Sequence, residues 1–279
     1  MQRLLTLLAI LLFAQSLRAQ EPAETTNEKD REARLKQGEA HVDALEVRLA
    51  EGGDAIARIE RPLLVFGDLT RNNGDGTLWA WGKEGRPFAV LETYRNTTVG
   101  GPRASAVTLT STARVTLKTP FFVQEWQPAK TQITPTALPD ADAPDERESV
   151  RLRQLKQQSR RFTAHEFWDP DNSRFELRLL VQPVHRYRDE KAKIWDGAMF
   201  VLANGTNPEI LVLIEALGES LDNARWHYSF ARLGSAELHV EIDGREVWKQ
   251  DRTPGVVGRP TDPFWLFITR VEAAPEPKK

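Results

Sequence analysis

The sequence predicts an α+β protein built of two tandem similar units, each one helix followed by a curved antiparallel sheet of about six strands. Three observations carry that reading. A gapless internal repeat links the two halves at an offset of 121 residues. Short period-two segments such as Val107/Leu109, Val115/Leu117 and Leu238/Val240/Ile242 alternate like half-buried strands. Hairpin-length connections between such segments forbid parallel pairing, which needs long crossovers.

Taken in order, the chain opens on a pattern that predicts a secretory signal over residues 1–19. Arg3 supplies the positive region, Leu4–Phe13 the apolar run, and Ala19 the small residue before the cut. That run is too short to cross a bilayer, which takes ~20 apolar residues. Residues 20–29 are polar and read as a flexible lead. The first unit, 30–127, starts with Leu35, Gly38, Val42, Leu45 and Leu49 at helical spacing, while Leu45, Val47 and Leu49 also alternate. A helix to about His41 followed by a strand reconciles the two patterns. Residues 128–145, rich in Pro, Ala, Thr and Asp, read as a linker between the units.

The second unit covers 146–272. Asp145 and Glu148 have the spacing of a helix N-cap and its reciprocal carboxylate, and Leu152, Leu155, Ser159 and Phe162 then share a helix face. The helix is expected to end near Arg161. Phe175, Leu177 and Leu179 alternate as a strand, and Asp243-Gly244 predicts a tight hairpin turn into Arg245–Trp248. A last strand from Phe264 is left to close the second sheet or bridge to the first. Residues 273–279 form a tail.

The repeat aligns Arg61–Pro87 with Gln182–Pro208. Pro62 matches Pro183, Phe66 matches Tyr187, Asp75-Gly76 matches Asp196-Gly197, Leu78 matches Met199, Trp79 matches Phe200 and Pro87 matches Pro208. Each half later reaches a Trp, Trp126 or Trp248. Pro at strand ends, Asp-Gly at positive φ and large aromatics are fold-building features, so the repeat argues for scaffold rather than chemistry.

Composition narrows the function classes. The chain has no Cys, which excludes disulfides, thiolate metal sites, Cys nucleophiles and lipid attachment through an N-terminal Cys. After loss of the signal the net charge is near −4, so nothing in the electrostatics favours nucleic acid or an acidic membrane. No integral membrane segment is expected after signal removal.

The strings RLRQLKQQSRRF, FELRLLVQPVHRY and WDGAMFVLANGTNPEILVLIEA in the second half resemble the signature of a family of exported proteins of unknown function, with many paralogues in planctomycete-type bacteria. The first half, PLLVFGDLTRNNGDGTLWAWGKEGRPFAVLETY, is similar to that family's N-terminal half. The resemblance spans most of the mature chain and implies an extracytoplasmic, periplasmic or secreted setting. It brings no activity. The linker here is longer and more acidic, which leaves the placement of the halves open.

Searches for chemistry end mostly on plain readings. There is no HExxH among His41, His165, His185, His227 and His239, no G-x-S-x-G elbow, no phosphate loop and no dinucleotide fingerprint. Glu237, His239 and Glu241 share one strand face, which reads as a solvated charged face before it reads as a metal site. Asp169, Asp171 and Ser173 start like a calcium loop but lack its Gly and closing Glu, so they read as a turn. The linker acids Asp140, Asp142 and Asp145 read as solvated. No cofactor or metal is expected. Eight tryptophans remain as the unusual feature. Trp79 and Trp81 point to one face of a strand, either as core or as an aromatic platform for a sugar or peptide, and Trp195 beside Asp196-Gly197 is the best single candidate for such a surface. The expected function is a non-catalytic binding or envelope-associated module whose partner is a cell-envelope protein or polysaccharide. The alternatives are a secreted hydrolase with a carboxylate-based site, and a structural partner that lends its sheet edges.

Overall fold

The computed structural model describes residues 23–50, 52–68, 73–96, 102–168, 171–255 and 257–269. The signal region 1–19, the tail 273–279 and Asp169 of the calcium-like triplet lie outside the described residues. The chain divides into two compact units at Gln37/Gly38. On the first side of that division the described chain is helical, and the second, Gly38–Lys279, contains all the strands among the described residues.

The element order is α1 (Ala23–Asp43), β1 (Glu46–Leu49), β2 (Leu64–Asp68), β3 (Asn73–Trp81), β4 (Ala89–Asn96), β5 (Arg103–Leu109), β6 (Val115–Lys118) and β7 (Thr136–Ala137). It continues with α2 (Glu148–Ser159), β8 (Phe162–Trp168), β9 (Ser173–Asp189), β10 (Ile194–Asn204), β11 (Asn207–Leu217), β12 (Arg225–Arg232), β13 (Glu237–Ile242), β14 (Arg245–Gln250) and β15 (Phe264–Thr269). The mixed helix-and-strand class is as expected, and all pairings between these strands are antiparallel. The strands form sheets of eight, five and two rather than two sets of six.

Helix α1 begins at Ala23, inside the segment expected to be a flexible lead. Glu, Lys, Arg and Ala dominate it, and these are good helix formers. The switch from helix to strand after His41 occurs between Asp43 and Glu46. At α2 the cap differs from the sequence reading. Asp145 lies two residues before the N-cap Arg147 and accepts from its backbone N–H at 2.8 Å, so it makes an entry turn and leaves the helix N-terminus uncapped by a side chain.

The five-stranded sheet, in order β15-β5-β4-β3-β2, is covered on both faces. Trp79, Trp81, Leu91, Val107 and Leu109 face a core completed by Val42, Leu45, Val47, Val115, Leu117 and Trp126. Leu78, Ala80 and Val90, one residue out of phase, face Met199, Val201, Leu211, Leu213 and Ala231 of the eight-stranded sheet. The first and second halves of the chain therefore share a core. The other face of the eight-stranded sheet packs Phe200, Val212, Phe230 and Val240 with Leu155 of α2.

Residues 128–145 are part of this packing rather than a free linker. Ile133 and Leu138 are buried, and β7 pairs with β12 through Ala137↔His227 and Thr136↔Tyr228. Two apolar residues spaced five apart among prolines give no readable period, which hid their burial. The last strand, β15, joins the first sheet, pairing with β5 from Phe264↔Thr108 to Thr269↔Arg103.

The two Asp-Gly pairs turn out to do different things at Asp and the same thing at Gly. Asp75 has φ 54°, at an irregularity between Gly74 and Thr77. Asp196 is not in that region. Its buried carboxylate accepts from Arg151 Nε of α2 at 2.8 Å and from Arg186 Nε and Nη2 at 2.9 and 2.6 Å, which pins the helix to the sheet. Gly76 faces Phe66 and Gly197 faces Tyr187 across adjacent strands. A Cβ at Gly197 would lie 2.6 Å from the Tyr187 ring, and one at Gly76 would meet the Phe66 ring in the same way. The glycines make room for an aromatic ring lying flat on the neighbouring strand.

Candidate functional site

In the eight-stranded sheet, β14 is the end strand and β12 is six places away, in the order β14-β13-β8-β9-β10-β11-β12-β7. A flat sheet would hold them roughly 29 Å apart at ~4.8 Å per strand. Yet the Phe230 ring of β12 lies 5.4 Å from the Trp248 ring of β14. The sheet curls into a barrel that does not close. The unclosed gap is an open groove of about 730 Å³. Its size is that of an ordinary ligand site.

The floor consists of Tyr228, Phe230, Val247, Trp248 and Phe264. Period two places Tyr228 and Phe230 on one face, and their edge-on contacts with Phe162 hold both rings in place. One wall is the segment Lys130–Gln132 with Thr134 and Thr136, and the other runs from Gln250, the last residue of β14, to Pro254. Arg232 shapes the inner end. Its guanidinium donates to the carbonyls of Gly234, Asp251 and Ala236 at 2.9, 3.0 and 2.7 Å, tying β12 to both following turns. Burial lowers its pKa to about 10, so it stays protonated at neutral pH. Thr253 also lines the groove, and its Oγ1 is buried without a hydrogen-bond partner.

Two carboxylates border the groove, Asp251 and Asp262. Asp262 accepts from the backbone N–H of Arg259 at 3.0 Å, and Asp251 faces Lys249 at 3.9 Å. Asp262 thereby holds a turn of the wall, whereas the Asp251 side chain is exposed. No protein-family model, curated protein sequence or solved structure matches this chain.

The tryptophans singled out in the sequence are not in this groove. Trp79 and Trp81 are buried in the core of the five-stranded sheet, and Trp79 is further fixed by a hydrogen bond to Thr77 Oγ1 at 2.9 Å. Period two was right about their common face, but a second layer covers that face, so they form no exposed platform. Trp195 is half-buried, donates to the Gly218 carbonyl at 2.8 Å and lies under Arg188. It is locked to its own hairpin. The tryptophan that does reach a ligand-sized space is Trp248. Its signal in the sequence was the matching Trp126 of the first half: Leu117 bridges Trp126 as Val240 pairs with Trp248. Trp126 is fully buried and Trp248 is half-buried.

The charged face of β13 is an ion-pair network rather than a fully solvated face, because His239 at its centre is buried. His239 contacts Glu246 through Nδ1 at 2.6 Å and Glu237 through Nε2 at 2.9 Å, and Lys249 also pairs with Glu237. Glu241 does not join them. Hydrogen bonds from Lys249 and His239 hold Glu237 below the usual carboxylate range, and the bond from His239 does the same for Glu246. Among the described residues no three His, Asp or Glu side chains form a metal-binding group, and no helix is long and apolar enough to cross a membrane.

Proposed function

We propose that this protein is an extracytoplasmic binding module without catalytic chemistry, and that its ligand occupies the groove between β12 and β14. The observation that carries the reading is the pair Phe230–Trp248 at the base of an open, ligand-sized gap. Aromatic floors give large contact area at low entropic cost, and the exposed Lys130 on the groove wall offers a polar group to orient a ligand. Of the two bordering carboxylates, Asp262 is engaged in its own turn and Asp251 is splayed into solvent beside Lys249, which supports recognition over hydrolysis. The signal-like first 19 residues and the resemblance to exported proteins support the extracytoplasmic assignment. The duplicated scaffold belongs to the same reading. β3-β4-β5 and β10-β11-β12 are equivalent meanders in this reading, and the first strand of each carries a glycine facing an aromatic ring, Gly76 or Gly197.

The test is a titration of wild type and Trp248→Ala, followed by intrinsic fluorescence and calorimetry, with cellohexaose, chitohexaose and a set of unstructured peptides. Binding by wild type that weakens at least tenfold in Trp248→Ala is the expected result. Binding that ignores the substitution, or none at all, overturns the assignment. Cell fractionation tests the address, with a mature N-terminus near Gln20 expected outside the cytoplasm.

A further inference from the structure

Both halves of the chain have a gap at the same place in their sheets, and only one is filled. In the first half the gap lies between β5 and the segment that follows β6, where Trp126 bridges Leu117. Residues 260–269 fill it. Their strand β15 pairs along β5, while the carbonyls of Pro260 and Thr261 accept from the backbone N–H of Gln127 and Ala129 at 2.7 and 2.9 Å. Trp265 and Phe267 enter the same core as Trp126, whose Nε1 donates to the Asp262 carbonyl at 2.9 Å. The inserted strand is what buries Trp126.

In the second half the corresponding gap lies between β12 and β14, and it is the groove. The edge of β12 carries only the two-residue β7, and at Arg232 it is capped by side chains: Gln132 Oε1 accepts from its N–H, and Thr108 Oγ1 donates to its carbonyl. β14 pairs with β13 alone, so among the described residues its outer edge meets no strand. An open edge beside an apolar floor is a template for strand addition.

Resting on the binding-module reading, we infer that the groove takes an extended polypeptide segment of a partner protein, hydrogen-bonded to the free edge of β14, with an aromatic or branched apolar side chain covering Trp248. The chain's own strand Phe264–Thr269 defines the chemistry required. Phe264 to Ile268 are all aromatic or aliphatic, and the main chain is free of proline. Backbone bonds supply affinity that any sequence can share, and the pocket above Phe230 and Trp248 supplies the selection.

The probe is a dye-labelled peptide, FWLFIT flanked by two lysines at each end for solubility, followed by fluorescence anisotropy against the full mature protein. Two controls accompany it: the same peptide N-methylated at alternate residues, and the protein variant Val247→Lys, which places an ammonium over the floor. Saturable binding of the plain peptide, weakened at least tenfold by N-methylation and by Val247→Lys, is expected. If Val247→Lys fails to fold, the N-methylated peptide on wild type decides the matter. Binding that survives N-methylation overturns the inference, because it shows apolar contact without strand pairing. Binding of cellohexaose or chitohexaose with no binding of the peptide overturns it too, and leaves the groove's role as a binding site standing. Failure of peptides and oligosaccharides alike removes both readings.

Discussion

Replacing Arg86 by Met removes the cation from a buried cluster that joins the two sheets. Arg86 sits between β3 and β4 and forks onto Glu215 of β11, Nε to Oε1 at 2.7 Å and Nη2 to Oε2 at 2.6 Å. The Tyr187 hydroxyl donates to the same Oε1 at 2.7 Å. The Glu215 side chain is 2% exposed and that of Arg86 12%, so water cannot replace the lost partner. Burial alone would lower the Arg86 pKa, but the bonded carboxylate outweighs it and raises the value. Burial also drives the Tyr187 hydroxyl well above its ordinary value, so it remains a donor. Breaking a buried pair from one side costs about 3–5 kcal/mol, because the remaining charge stays desolvated. For a chain of this size that lowers Tm by roughly 10 °C. The assay is urea unfolding followed by far-UV circular dichroism, with Arg86→Met, Glu215→Leu and the double variant closing a thermodynamic cycle. The double variant is expected to recover most of the loss, except for about 1–3 kcal/mol from the Tyr187 hydroxyl left without its acceptor. A cost below ~1 kcal/mol for Arg86→Met, or additive single effects, would refute the reasoning.

Three further outcomes follow from local geometry. Gly197→Ala drives a methyl into the Tyr187 ring and is expected to cost about 1–3 kcal/mol by overpacking, measured by thermal melting; an unchanged melt would show that the ring moves freely. Asp196→Asn leaves Arg151 buried on α2 without its anion, and is expected to destabilise by a few kcal/mol and speed amide exchange in α2 before the sheet. A uniform change across the protein would contradict that. His41, stacked on Phe121 and bonded to Ser105 Oγ at 3.0 Å, is held to a pKa of about 4 by burial and by the charge of Arg103. The folded state thus prefers neutral His41. Its contribution is complete above about pH 6.5, falls as the unfolded chain takes up a proton, and is gone below about pH 4. Between pH 7 and 5 this amounts to about 2 kcal/mol, and His41→Gln should flatten the stability profile in that window. An identical slope in the variant would assign the effect to other groups.

The sequence by itself determined what depends on neighbours along the chain. Asp243-Gly244 makes the hairpin between β13 and β14, with φ of 50° and 78°, because only a few residue types tolerate that geometry. The common face of Trp79 and Trp81 follows from the pleat, and the helix-to-strand switch before Glu46 follows from a change of period. The absence of Cys settled which chemistries were closed. Tertiary structure alone decided what depends on distant partners. Alternation says which residues share a face, but only packing shows that a second sheet covers Leu78 and Ala80. Arg151 and Asp196 lie 45 residues apart, and Arg86 and Glu215 lie 129 apart, separations over which charge pairing leaves no local pattern. The groove is the clearest instance. It exists because an eight-stranded sheet curls until β12 meets β14 without pairing to it, a closure that no local pattern announces.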